Sequence, residues 1–71
     1  MKFIVPVDFS DASVNAAEFT AQMLEGRYGV TMFLFHMYRT ETEEQIASNR
    51  LEWLKETLQI QFPIKIQTRL E

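Results

Sequence analysis

Residues Val5 to Ser13 read VPVDFSDAS, and this stretch decides how the N-terminal part of the chain folds. It joins a short apolar run, Phe3 to Val7, to the beginning of a helical pattern. An uninterrupted apolar run of this length is typical of a strand that is buried on both faces of a parallel sheet. Ser10 can accept a hydrogen bond from a backbone N–H of the first helical turn, where Asp11 is also favourable. The stretch therefore predicts a strand that passes through a capped turn into a helix.

The helical pattern runs from Ala12 to Leu24. Small and apolar residues recur there at helical spacing, and they predict a buried face made of Ala12, Ala16, Phe19 and Met23, with Ala17, Thr20 and Leu24 beside them. The only two glycines of the chain, Gly26 and Gly29, follow at once. Because glycine commonly ends helices, they predict the end of this one.

A second strand and a second helix follow. The run VTMFLFHMY, residues 30–38, is again apolar at both alternating sets of positions, which predicts another doubly buried strand. Thr40 or Thr42 is predicted to cap the next helix, because the glutamates that follow lie where the helix dipole favours negative charge. The core stripe of this helix is predicted to be Ala47, Leu51, Leu54 and Leu58, widened by Ile46, Trp53 and Ile60.

Pro63 interrupts the helical pattern, and the residues after it alternate between apolar and polar. The apolar set is Ile64, Ile66, Thr68 and Leu70, and the polar set is Lys65, Gln67, Arg69 and Glu71. Such alternation predicts a third strand with one dry face and one wet face, as expected at a sheet edge.

The predicted order β-α-β-α-β implies a parallel α/β sheet with right-handed crossovers, strand order 3-2-1 and both helices on one face. This arrangement would leave the first two strands with an uncovered apolar face, and the first strand with an unpaired edge. Such surfaces favour association. We therefore interpret residues 1–71 as a single, incomplete domain, half of a Rossmann-like sheet. We also expect self-association, as a homodimer formed through the edge of the first strand or the open sheet face.

The net charge, the absence of cysteine and the length of the apolar runs bear on the partners and the cellular compartment of the protein. The formal net charge is −3, which does not favour a nucleic-acid or membrane-surface partner. There is no cysteine, so disulfide and thiol chemistry are excluded. The apolar runs are much shorter than a membrane span, and the N-terminal run lacks the features of a signal peptide. We expect a cytoplasmic protein.

Candidate site residues lie where the predicted strands end, since open α/β sheets bind ligands there. Asp8 follows the first strand, and it either contacts a ligand or bonds to nearby backbone amides. His36, the only histidine, is predicted to be structural, and Ser10 and Ser13 are predicted to be caps. No metal-ligand spacing and no catalytic constellation is present, so we expect neither a metal site nor an enzyme.

The strand FIVPVDFS with its alanine-containing helix, followed by VTMFLFHMY, resembles the N-terminal half of a universal stress protein domain. The resemblance implies a five-stranded sheet of order 3-2-1-4-5 in the complete domain. Similarity to the ATP-binding branch implies a site for ATP or AMP at Pro6, Val7, Asp8 and Met37. The phosphate-binding loop of that branch, G-x2-G-x9-G-[S/T], is absent from this chain, so no tightly bound nucleotide is expected. The alternative is a stress-response interaction or dimerisation module that binds no nucleotide.

Overall fold

The computed structural model describes residues 1–71, which form five elements in the predicted order. They are β1 (Lys2–Pro6), α1 (Asp11–Leu24), β2 (Thr31–His36), α2 (Glu41–Gln61) and β3 (Lys65–Leu70). The strands form one parallel sheet in the order β1-β2-β3. This confirms the α/β fold class and the predicted 3-2-1 order, which is the same linear order read from the opposite edge.

The ends of both helices follow the local signals of the sequence. Ser10 Oγ accepts a hydrogen bond from the Ser13 N–H at 3.2 Å, and Thr40 Oγ1 accepts one from the Glu43 N–H at 3.3 Å. Thr40 rather than Thr42 is therefore the N-cap of α2. Gly26 lies just beyond α1 with φ +77°, a conformation that side chains other than glycine rarely adopt.

The core lies on one side of the sheet, beneath the two helices. Its strand residues alternate along β1, β2 and β3, and its helix residues form one face of each helix: Val5, Val7, Ala17, Ala21, Met32, Leu34, Leu51, Leu54, Leu58 and Ile66. The predicted core stripe of α2 is confirmed, since all four of its members are buried. β3 also has the predicted dry and wet faces.

The predicted buried face of α1 is wrong. Phe19 and Met23 are 67% and 47% exposed, and the buried residues are Ala17 and Leu24, which were predicted only to flank the stripe, together with Ala21. Two stripes of helical spacing coexist on α1, separated by about 150° at 3.6 residues per turn. The alanine-rich stripe faces the sheet because its small side chains let the helix approach closely, which leaves the larger residues outside.

The predicted widening of the α2 stripe is wrong as well. Ile46, Trp53 and Ile60 are 56%, 64% and 86% exposed. Their seven-residue spacing places them on one flank of the helix, about 130° from the buried stripe. A helix that packs on a single sheet face cannot bury both sets.

β1 and β2 are covered on one face only, which confirms the uncovered apolar face that the predicted order of elements implied for this chain. Ile4 on the uncovered face is 68% exposed, and Phe33 and Phe35 on the same face are partly exposed. The ammonium group of Lys2 lies 5.5 Å from the centre of the Phe33 ring. We call this surface the open sheet face.

Candidate functional site

The candidate site lies at the edge of the sheet where β1 and β2 both end. Pro6 is paired with Phe35 in the parallel register, and the Val7 N–H donates to the Phe35 carbonyl at 2.7 Å. The parallel register therefore places Asp8 and Met37, which follow these strands, at the same edge.

A cavity of about 400 Å³ opens at this edge. Its lining contains the four residues that the resemblance implied for a nucleotide site, Pro6, Val7, Asp8 and Met37. It also contains Ser13, Phe35 and His36. Phe35 was not predicted to line the site. It lies two residues before Met37 on the predicted strand, and that spacing places both side chains on the same face. Ser13 and His36 had been assigned only structural roles. The structure thus brings the predicted residues together around one space.

Asp8 is bound to the turn that follows it. Its Oδ1 accepts a hydrogen bond from the Ser10 backbone N–H at 2.9 Å and another from the Ser10 hydroxyl at 2.6 Å. The backbone N–H of Asp8 donates to Ser13 Oγ at 3.3 Å. Oδ2 accepts no hydrogen bond within the chain. The carboxylate therefore bonds to a nearby backbone amide, as one of the two sequence alternatives had it, and still offers an exposed acceptor to the cavity.

The two hydrogen bonds from Ser10 to Oδ1 have the largest effect on the charge of Asp8. The Ser10 hydroxyl, then the Ser10 backbone N–H, and then Ser13 lower the pKa of this carboxyl from 3.8 to about 2. Each bond favours the ionised form because a carboxylate is a better acceptor than the neutral acid. Asp8 is a carboxylate throughout the neutral pH range, which suits it to accept hydrogen bonds from hydroxyl or amino groups and not to donate one.

His36 is held by the backbone of β1. Its Nδ1 lies 2.6 Å from the Val7 carbonyl oxygen, and since a carbonyl only accepts, Nδ1 carries the proton. The ring also lies 4.7 Å from the Phe9 ring, centre to centre. These contacts are those expected of a structural histidine, and the same side chain also lines the cavity. No serine–histidine hydrogen bond joins it to Ser10 or Ser13, whose bonds serve the cap.

Phe9 is the one non-glycine residue with a positive φ, at 64°. This left-handed conformation is costly for a bulky side chain and persists only where the surroundings hold it. The Arg50 guanidinium lies 5.3 Å from the centre of the Phe9 ring, and His36 packs against it. These contacts fix the turn that aims Asp8 at the cavity. Nothing in the local sequence predicts the positive φ of Phe9, because a helix capped by serine does not require that conformation in the preceding residue.

A second, smaller cavity of about 200 Å³ lies between the Phe9 turn and the beginning of α2. Charges of both signs surround it, contributed by Asp8, Glu43 and Arg50. Such a lining selects neither an anion nor a cation. No group of three or more histidine, cysteine, aspartate or glutamate side chains converges anywhere in the structure. Neither helix combines the length and the apolar character that a membrane-spanning segment needs.

The chain was also compared with known proteins. No protein-family model, curated protein or solved structure matches it. Membership of the universal stress protein family therefore remains a prediction from the sequence, and any functional reading is carried by the geometry of the site.

Proposed function

We propose that this chain is a universal stress protein-like module of the stress response that binds an adenine nucleotide at the carboxyl ends of β1 and β2. The observation that carries the proposal is the single cavity that collects Pro6, Val7, Asp8 and Met37. It lies where open α/β sheets bind ligands, and it combines apolar walls with one ionised acceptor. The module is cytoplasmic and has no enzymatic activity in this proposal.

The base fits the apolar part of the cavity. Pro6 and Phe35 form one wall, and Met37, whose side chain is 71% exposed, can fold over a flat ring system from the other side. The backbone N–H and C=O of Met37 make no hydrogen bond within the chain. They are available to pair with the donor and acceptor atoms on the edge of an adenine base.

The ribose or the amino group of the base meets Asp8. Oδ2 is free, and a hydroxyl that donates to an ionised carboxylate forms a stronger hydrogen bond than one between neutral groups. Because Oδ1 is held by Ser10, the acceptor is positioned before the ligand arrives. This preorganisation lowers the entropy lost on binding.

The chain offers few groups that could bind the phosphates of ATP or AMP. The chain lacks a phosphate-binding glycine loop, since Gly26 and Gly29 lie beyond the far end of α1. The N-terminus of α1 carries Asp11, which opposes an anion there. We therefore expect weak binding of ATP or AMP by this chain, with adenosine bound about as tightly as either.

Titration of the 71-residue chain with adenosine, AMP and ATP, followed by NMR chemical shifts, tests this proposal. Asp8→Asn keeps an Oδ1 acceptor for Ser10 but replaces the free Oδ2 with an amide, so we expect about a tenfold loss of affinity, the difference between charged and neutral hydrogen bonds. Asp11→Asn is the matched control, since Asp11 does not line the cavity. Equal affinities of Asp8→Asn and the unaltered chain would refute the role of Asp8.

A second candidate is the interaction module that binds no nucleotide. The exposed Ile4 and the unpaired edge of β1 favour it, because apolar surfaces and free edges are where proteins associate. If adenosine and ATP leave the shifts of Val7, Asp8 and Met37 unchanged at millimolar concentration, nucleotide binding is excluded and this second candidate stands.

A further inference from the structure

The smaller cavity, of about 200 Å³, has one face of α2 as its floor. The residues of α2 that line it follow the spacing i, i+3, i+4 and i+7: Glu43, Ile46, Ala47 and Arg50. Residues at this spacing lie on the same face of a helix. The turn after β1 and the end of β2 contribute the other lining residues. The floor is therefore apolar in its middle and carries opposite charges at its two ends.

The charges at the two ends of this floor are not paired with each other. Seven residues at a rise of 1.5 Å put the Cα atoms of Glu43 and Arg50 about 10 Å apart along the helix axis. Neither side chain takes part in an ion pair of the chain. Glu43 Oε2 accepts a hydrogen bond from the Arg39 backbone N–H at 3.0 Å, which leaves Oε1 free. The Arg50 guanidinium lies over the Phe9 ring and donates no hydrogen bond within the chain, so its donors are also free.

The mixed charge of the lining decides the class of ligand. A simple anion that approaches Arg50 also meets the carboxylates of Asp8 and Glu43, and a simple cation meets Arg50. A ligand that carries both charges can place each of them beside the opposite charge of the cavity. The apolar surface of Ile46 and Phe9 adds a place for a hydrocarbon side chain.

We propose that this cavity binds a free α-amino acid with an apolar side chain, as its zwitterion. The ligand carboxylate accepts hydrogen bonds from Arg50, and the ligand ammonium donates to Oε1 of Glu43. The ligand side chain packs on Ile46 and on the Phe9 ring. With a hydrogen bond of about 2.8 Å at each end, an α-amino acid bridges a gap of roughly 8 Å between a carboxylate and a guanidinium. The flexible side chains of Glu43 and Arg50 can adjust to that gap.

The affinity is set by the exposure of the two charged partners. Glu43 and Arg50 are exposed in the free chain, and interactions between exposed charges contribute little because water screens them. We expect a dissociation constant in the millimolar range. The proposal goes beyond nucleotide binding and does not depend on it, since Pro6, Val7 and Met37 line only the larger cavity.

Titration of the full chain with three ligands of one carbon skeleton, followed by NMR chemical shifts, tests the proposal. The ligands are leucine, leucinamide, which lacks the carboxylate, and 4-methylpentanoate, which lacks the ammonium group. Leucine should shift the backbone signals of Phe9, Ile46 and Ala47 in a saturable manner. Each analogue should bind about tenfold more weakly, because it loses the hydrogen bonds made to one charged partner.

Two variants assign each ligand charge to its partner. Arg50→Gln should abolish the difference in affinity between leucine and leucinamide, because the partner of the carboxylate is gone. Glu43→Gln keeps an acceptor for the Arg39 N–H and should abolish the difference between leucine and 4-methylpentanoate. Glu44→Gln and Lys55→Gln are the matched controls on the same helix, since neither residue lines the cavity. Circular dichroism confirms that all four variants are folded.

Three results would overturn the proposal. One is the absence of shifts with leucine at concentrations far above the millimolar range. Another is equal affinity for the three ligands, or discrimination that Arg50→Gln and Glu43→Gln leave intact. The third is a set of shifts at Pro6 and Met37 without shifts at Ile46, which would assign leucine to the larger cavity. A chain that binds leucine in this pattern and binds no adenosine would refute the nucleotide proposal alone.

Discussion

Leu34→Ala and Ile4→Ala form a matched pair that measures which face of the sheet is covered. Leucine and isoleucine have the same volume, and both residues belong to uninterrupted apolar runs of the sequence. In the structure Leu34 is fully buried beneath the helices, whereas Ile4 is 68% exposed on the open sheet face. The same truncation should therefore have very different costs at the two positions.

The magnitudes follow from burial and cavity formation. Leu34→Ala leaves a void among packed core residues, so we expect a loss of about 2–5 kcal/mol in the free energy of unfolding. Ile4 buries only about a third of its side chain, and its truncation opens no enclosed void. A fully buried isoleucine contributes ~1.5–3 kcal/mol, so the expected loss for Ile4→Ala is ~0.5–1 kcal/mol.

Urea unfolding followed by far-ultraviolet circular dichroism provides the measurement, at a protein concentration low enough to keep the chain monomeric. Both variants should keep the slope of the unaltered chain, because neither changes the surface exposed on unfolding by much. Equal losses for the two variants would refute the reasoning. They would mean that the face bearing Ile4 is as well covered as the core.

Three further predictions concern the turns and the site. The pKa of Asp8 is about 2 in the folded chain against 3.8 for the free carboxyl, so the stability that Asp8 contributes is complete above pH 3.8 and is lost as the pH falls towards 2. The urea midpoint of the unaltered chain should therefore fall between pH 4 and pH 2, and Asp8→Asn should make this fall smaller. An equal fall in the variant would show that Asp8 is not its cause. Thr40→Ala should lower the free energy of unfolding by about 1 kcal/mol, because α2 loses its N-cap, and Thr42→Ala should lower it by much less. Equal effects of the two substitutions would count against Thr40 as the N-cap. Neutral His36 should be the Nδ1–H tautomer because Nδ1 donates to the Val7 carbonyl, and nitrogen chemical shifts that place the proton on Nε2 would exclude that bond.

Local sequence signals determined the succession of elements and their ends. Ser10 and Thr40 cap helices, glycine follows α1 and Pro63 follows α2, and each of these acts through bonds within a few residues. The alternation along β3 also identified its dry face correctly. Such features are predictable because the interacting atoms are close in sequence. They were enough to predict the α/β class and the strand order.

The tertiary structure alone decided which of the two stripes of α1 is buried. On α1, the stripe of Ala17 and Ala21 and the stripe of Phe19 and Met23 have the same helical spacing, and only the approach of the helix to the sheet separates them. The one-sided cover of β1 and β2, by contrast, followed from the predicted order of elements, because right-handed crossovers in one direction put both helices on the same face of the sheet. The site, like the choice of stripe, depends on elements distant in sequence: the sequence placed Asp8 and Met37 at strand ends, but only the parallel register of β1 and β2 puts them around one cavity.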